Sequence, residues 1–451
     1  MGCLFLDVKT GEKPTMSFLR NALLVILMAV LSQAAVATTI TVDIGGSGDF
    51  ETIQEAVDIA VTGDTLLIRA GLYEENVHVV GPCLTWIGEG SDATVIRAPA
   101  PEPAILLQDL DSPPGCSTVR DLTIESYGEG VDAIYARTSI DFYDCDLLGH
   151  ITVTSGDGLG GGIGLRDCSA TSVSVAGGYR ASYIERSTLN SGRFYGVWVE
   201  NWGHWYCLGH NVYSADSSIG SLSLSCAFLE SASDDIGPVS GDEQSGCRGV
   251  GSQFESVEIE GGVVELEDCI VSGDVTLIGT VYDAGAWAGR AHLARCLVGG
   301  DLMVDVDQHS YGFYGLVWVI HNTILGDFSC NYDIWSDTTL WPHHIRGNIV
   351  MGATQISDFW VHETWPPVVS HNDFVGGSVI TAQPDSVYAN FSAAPLLCDD
   401  IDYELQECSP CVGAAHDGGE IGARAVGCPC YAPVEQLSWG AIKALYRQPS
   451  N

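Results

Sequence analysis

The chain has 451 residues, a formal net charge of −40 and 16 cysteines. Lys443 is the sole lysine after Lys13, and a surface this acidic repels nucleic acid and anionic polysaccharide unless divalent cations intervene. Nucleic-acid partners are thereby excluded, and the acidity has two readings: a solvated surface suited to a salty exterior, or carboxylates that feed calcium sites.

Met16 opens an export signal, with Arg20, the apolar run from Ala22 to Leu31, and the small residues Ala35, Val36 and Ala37 as a cleavage site. The run is too short to span a bilayer, and no later stretch is long and apolar enough for a membrane helix. Residues 1–37 are therefore assigned to an N-terminal extension and signal peptide, and the expected location is secreted or on the cell-envelope surface. In residues 38–64, Thr52-Ile53-Gln54-Glu55 reads as a capping box. Ile53, Ala56, Val57 and Ala60 form one apolar stripe before Gly63, so a short helix is predicted to plug the open end of the body built by residues 65–390.

Residues 65–390 carry a repeat: apolar, two variable positions, Cys or Asn, one variable position, apolar, one more variable position, Gly. It is seen at Phe142, Cys145, Leu147 and Gly149, and recurs around Cys269, Cys296, Asn322, Asn348 and Asn372, at spacings of 27, 26, 26 and 24 residues. The two apolar residues are five apart, and on an unbroken strand such residues point to opposite faces. Both face one interior only if the chain bends at the Cys or Asn, where Asn suits unusual backbone angles. Gly marks a second bend. The prediction is an all-β, right-handed, single-stranded parallel β-helix of about a dozen coils, a rod on the order of 55–60 Å long at the usual strand spacing. A monomer is expected.

The opening segment GSGDFETIQEAVDIA, with GDTLLIRAGLYEENV and LTWIGEG after it, resembles pectin-lyase-like right-handed parallel β-helix proteins. It is most similar to pectin methylesterases, whose G-x-Y-x-E is matched by Gly71, Tyr73 and Glu75. That family's catalytic Q-D-T, F-D-F-I-F-G and R-P-W signatures are missing, since Gln108-Asp109 is followed by Leu110. Esterase catalysis is not carried over.

Residues 391–431 form a Cys-rich terminal coil that resembles the closing coil of secreted bacterial β-helix repeat proteins. Cys398, Cys408, Cys411, Cys428 and Cys430 are disulfide candidates, zinc being the competing use. Cys145, Cys168, Cys269 and Cys296, at or near the repeat position, read as small buried residues of the stack. In residues 432–451, Val434, Leu437, Ala441, Ile442 and Leu445 predict a helical tail that packs on the last coil or docks on an envelope partner.

Loops of constant phase follow the strand after each Gly. Their aromatics, and those of an earlier loop, are the predicted substrate-binding residues: Trp198, Trp202, Trp287, Tyr311, Tyr314, Trp335, Trp341, Trp360 and Trp365. Such rings are flat platforms for sugars, or fold back over apolar coil surface. The same loops carry His309, His343, His344 and His362. A hydrolase needs two carboxyls flanking one bond, and a lyase needs a base that here must be Arg, His or Tyr, with Arg137, Arg166, Arg180, Arg186, Arg193 and Arg290 at hand. Asp234-Asp235 is the one match to polygalacturonase-type signatures, and Asp301, Asp305 and Asp307 are candidates for calcium, the one cofactor considered. No catalytic residue is assigned. The expected function is polysaccharide or cell-surface glycan engagement along the aromatic loop face, with lyase or hydrolase activity open. The alternative is a non-catalytic, adhesin-like or structural rod, favoured by insertions such as Ser231 to Gly249.

Overall fold

The computed structural model describes residues 37–430 except 109–116, 129, 155–160, 178–180, 202–203, 243, 282–289, 309–315, 335–342, 361–367, 382–385 and 400–402. The export signal and the helical tail lie outside the described residues. No helix among the described residues is long and apolar enough to cross a membrane.

The chain winds into a parallel β-helix. One face is a sixteen-stranded sheet in which each strand pairs with the next coil, from Thr39–Val42 to Val387–Tyr388. The other two faces join in a 23-stranded sheet, because strands such as Asp146–Thr154 run through the bend with a register shift between Leu147 and His150. A late coil shows the plan: Val263–Glu267 on the first face, a tight bend, the short strand Ile270–Val271, a Gly-Asp bend, then the long strand Val275–Val281. Leu266 and Val271, five apart, are both buried in the core, as are Leu293 and Val298.

Sixteen rungs correspond to roughly 72 Å, longer than the repeat spacing predicted. Between Val212 and Val264 the coils tighten: Val212 opposes Leu229, which opposes Cys247, which opposes Val264, giving 17 to 18 residues per coil. The segment from Ser231 to Gly249 is therefore not an insertion but one of these tight coils, Ser231 standing opposite Gly249. The first rung also precedes the helix, since Thr39–Val42 pairs with Thr65–Ile68.

The tight bend has one backbone form throughout. The residue before the repeat position is left-handed in coil after coil: Asp144 (φ 52°), Asp167 (54°), Arg186 (47°), Asp216 (52°), Asp268 (55°), Arg295 (55°), His321 (55°) and His371 (55°). A left-handed residue between extended ones turns the chain sharply, and Asp tolerates that region better than most residues. The unusual backbone thus sits one residue before the Cys or Asn rather than on it.

The repeat residue instead links coils. The backbone N–H of Cys296 donates to Oδ1 of Asn322 (2.8 Å), that of Asn322 to Asn348 (2.9 Å), that of Asn348 to Asn372 (3.0 Å), and that of Asn372 to Asn390 (3.0 Å). Each Nδ2 donates to a first-face carbonyl, Asn348 to Val319 at 2.7 Å. Earlier coils use other residues for the same bond: Cys168 N–H donates to Ser187 Oγ, Ser187 to Ser217, Ser217 to Asp234 and Asp234 to Ser252. At the second bend Asp301 N–H donates to Asp274 Oδ1 and Asp327 N–H to Asp301 Oδ1, both at 2.8 Å. The intervening Gly326 is required there, since a Cβ would lie 2.3 Å from Asp301 Oδ1.

The helix spans Ile53–Ile59, with Thr52 Oγ1 accepting from Glu55 N–H. Its next two free N–H groups, of Ile53 and Gln54, donate to the Glu75 carboxylate at 2.9 and 3.0 Å. Glu75 of the G-x-Y-x-E segment is thus a helix cap.

At the other end, Cys398–Cys428 and Cys408–Cys430 are disulfides. Cys411 is not: it is a free thiol buried in the cap's small core, donating to Asp373 Oδ2 at 3.3 Å. The cap's start continues the last coil, Phe391 N–H donating to Asn372 O. Its later part folds back along the flank, where Ile421 and Ala415 pack against Ile349 and Gly422 N–H donates to Gly347 O at 2.7 Å. Cys145, Cys168, Cys269 and Cys296 are buried free thiols, as the repeat predicts. The neighbouring Cys168 thiol and burial raise Cys145, and burial raises Cys296.

Replacing Asn348 by Ala removes the acceptor for the buried Asn322 N–H and the donor for Val319 O, and should destabilise the rod by about 2–4 kcal/mol. The urea midpoint of Asn348→Ala against wild type measures this, and an unchanged midpoint would contradict the ladder's role.

Candidate functional site

The ladder fixes the phase of the coils, so outward residues of successive strands align in columns. On the first face one column reads Tyr183, Tyr213, Glu230, Arg248, Glu265, His292, Trp318 and His344, each opposite the next. Tyr183 and Tyr213 are stacked, their centroids 5.3 Å apart and planes 15° from parallel. Trp318 meets His292 edge-on at 5.4 Å. Glu265 bridges Arg290 (3.0 Å) and Arg248 (3.5 Å).

Two adjoining hollows lie along this column and share Glu230 and Arg248. One, of about 370 Å³, is lined by Tyr183, Glu185 and Tyr213; the other, of about 460 Å³, by Asn211, Phe228, Gln244, Glu265 and Arg290. Together they form a groove with aromatic flats at one end and paired Arg and Glu at the other. Rings of this kind stack on apolar sugar faces, and Arg and Glu bond hydroxyls in a fixed orientation. Sequence reasoning missed this groove because its side chains come from six coils of unequal length. The alternation of outward Tyr183, Tyr213 and Trp318 with buried Ile184, Val212 and Val319 was the available signal.

The long-strand face is polar. Its central column includes Ser174, Arg193, Ser223, Ser240, Glu258 and Thr276 in register. Tyr195, Ser225, Asp242, Glu258 and Glu260 line one trough of about 340 Å³, and Asp305, Ser329, Asn331, Gln355 and Ser357 another of about 620 Å³. Glu258 and Glu260 are exposed on one side of one strand, roughly 6.6 Å apart along it.

Trp202, Trp287, Tyr311, Tyr314, Trp335, Trp341 and Trp365 lie outside the described residues, as do His309 and His362. The side chains of Trp198 and Trp360, in strands Val197–Asn201 and Thr354–Trp360, do so too. The described strands on either side of the late segments are a long strand of one coil and the first-face strand of the next.

Several candidates from the sequence have structural uses. Arg166 pairs with Glu185 (2.7 Å), Arg186 binds Asp167 through two bonds (2.7 and 2.6 Å), and Arg290 pairs with Glu265, so these three are held by carboxylates. Asp234 is a buried ladder residue accepting from Ser217 N–H (2.8 Å) and Ser231 Oγ (2.7 Å), and burial raises its carboxyl. Asp301 is committed to the second-bend ladder and Asp305 accepts from Asn331 (3.1 Å), while the Asp307 side chain lies outside the described residues. Among the described residues, the one group of three His, Cys, Asp or Glu ligand atoms close enough for a metal is His321, His416 and Asp417. Asp132, His150 and Ser172 stand opposite one another on three coils, and His150 Nδ1 bonds Ser172 Oγ. Asp132 accepts from Thr152 Oγ1 (3.2 Å) with no ion pair to His150, so no relay of Ser, His and Asp forms.

His344 lies on the first face beside Trp318, and His343 is buried, its Nδ1 accepting from Val317 N–H at 3.0 Å. Burial lowers His343 to about 4 and His210, bonded to Ser182 Oγ and Gly177 O, to about 4.

No protein-family model matches the chain, and no curated protein matches it. Among solved structures, a pectin methylesterase from carrot aligns over 60% of this chain and 84% of its own, at 13% identity and a TM-score of 0.27. That likeness carries no argument about activity. The parallel β-helix is established by the strand pairing itself.

Between pH 6.5 and 4 the unfolded chain binds protons that buried His343 refuses, so stability is full above pH 6.5 and falls as pH drops through that window. His343→Asn keeps a side-chain acceptor at the Nδ1 position for the Val317 N–H and should reduce this slope by up to about 1.4 kcal/mol per pH unit. Urea midpoints at pH 7 and pH 5 for both proteins test it, and parallel pH dependence would contradict it.

Proposed function

We propose that this protein is an exported parallel β-helix that binds neutral polysaccharide or cell-surface glycan along its first-face groove. The observation that carries the reading is the stacked Tyr183–Tyr213 pair opening onto a groove lined by Glu230, Arg248 and Glu265. The charge of −40 favours a neutral glycan, because an anionic one meets long-range repulsion. Export is supported by the Met16 to Ala37 signal and by two disulfides, which persist in oxidising compartments.

A second reading places the glycan on the long-strand face. Glu258 and Glu260 favour it, since they set two carboxyls on one exposed side of one strand, and hydrolysis of a glycosidic bond needs such a pair. Here the protein is a glycoside hydrolase, one carboxyl protonating the leaving oxygen and the other activating water. Lyase chemistry is less supported, because Arg166, Arg186 and Arg290 are held by carboxylates.

A glycan array followed by calorimetry on the best neutral ligand separates the readings. Tyr213→Ala and Arg248→Ala should each weaken binding about tenfold, with Trp335→Ala and Trp360→Ala unchanged. The opposite pattern supports the second reading, in which Glu258→Gln should abolish reducing-end release. Binding by no glycan would overturn both.

A further inference from the structure

The cap brings together side chains that neither groove uses. The left-handed positions before Asn322, Asn348 and Asn372 are His321, Gly347 and His371. Gly347 lets the His321 ring lie close against its backbone, since a Cβ there would lie 2.9 Å from His321 Nδ1. The cap lies over this position. Gly422 N–H bonds Gly347 O, and His416 enters with its ring 5.9 Å from that of His321 and 6.2 Å from that of His371. Asp417 comes next in the chain, its Oδ1 accepting from Gly419 N–H at 3.0 Å. The ligand atoms of His321, His416 and Asp417 all lie within 4.8 Å of one another.

We propose that His321, His416 and Asp417 form a zinc-class divalent metal site that clamps the cap to the flank of the rod, with His371 at hand as a fourth ligand. Two nitrogens and a carboxylate suit zinc and its borderline neighbours, whereas calcium and magnesium want an all-oxygen set. His321 Nδ1 donates to Glu420 O at 3.1 Å, which fixes the tautomer that presents Nε2 as a ligand. A backbone carbonyl on the distal nitrogen is the usual second contact of a zinc-bound histidine. Tetrahedral zinc holds its donors roughly 3.3 Å apart, so the group needs only a small inward rotation, and His416 and Asp417 are exposed and free to make it. His371 meets His416 edge-on, and its Nδ1 has no hydrogen-bond partner. The Asp417 carboxylate offsets part of the metal's charge. The cap supplies two ligands and the coils one or two, so a bound ion crosslinks segments about a hundred residues apart in sequence, on the side where Ala423 N–H already bonds Thr323 Oγ1 at 3.0 Å.

The test is calorimetric titration of zinc into full-length protein carrying no affinity tag, after dialysis against chelator, with the melting temperature read in parallel. Wild type should bind one equivalent with micromolar or tighter affinity and melt higher in zinc but not in calcium. His416→Ala, a change at an exposed residue, should weaken binding by at least about tenfold and abolish the zinc-dependent rise. Cobalt in place of zinc should give the visible absorption of a tetrahedral nitrogen and oxygen site in wild type alone. Absence of saturable binding to wild type, or equal affinity and stoichiometry in wild type and His416→Ala, would overturn the proposal.

Discussion

A parallel β-helix must turn its chain sharply at the same corner of every coil, and each such turn leaves a backbone N–H inside the wall with no strand partner. An unpaired buried N–H costs about 1–3 kcal/mol. This chain meets the cost with the side chain of the next coil: Asn for Cys296, Asn322 and Asn348, Ser for Cys168 and Ser187, Asp for Ser217. The bond runs between coils and not within one, so it ties each rung to the next and sets their relative rotation. The left-handed residue just before it provides the bend that aims the side chain upward.

Once the corner is in phase, the outward residues of all coils line up. A single Tyr on a strand is an ordinary exposed ring; Tyr183 directly over Tyr213 is a platform. Glu265 between Arg248 and Arg290 similarly owes its two partners to register. The same phase puts His321 and His371 on either side of Gly347, where the cap can reach both. Grooves and metal ligands are thus consequences of one stacking rule.

The sequence was legible where one residue type repeats at a steady interval. Asn322, Asn348 and Asn372 revealed the late coils, and the apolar pairs five apart fixed the bend. Legibility failed where the role stayed and the residue changed. Ser187, Ser217, Asp234 and Ser252 do the work of Asn in coils as short as 17 residues, so Asp234 reads as a catalytic remnant although it is a buried acceptor. The groove was hidden for a related reason: Tyr183 and Tyr213 are 30 residues apart in a coil with no repeat signature, and nothing in the local pattern states that they touch. The cap's return along the flank, with Cys411 buried against Asp373, depends on tertiary packing that spacing cannot reveal.

The central claim is that side chains of the next coil hold the corner N–H groups of Cys168, Ser187, Ser217, Asp234, Cys296, Asn322, Asn348 and Asn372. Hydrogen exchange resolved to single amides tests it most directly. The account predicts that the amides of Ser187, Ser217, Asn322, Asn348 and Asn372 exchange as slowly as core strand amides such as that of Val319, through global opening alone. Exchange of these corner amides at the rate of exposed bends, with the strands still protected, would contradict it.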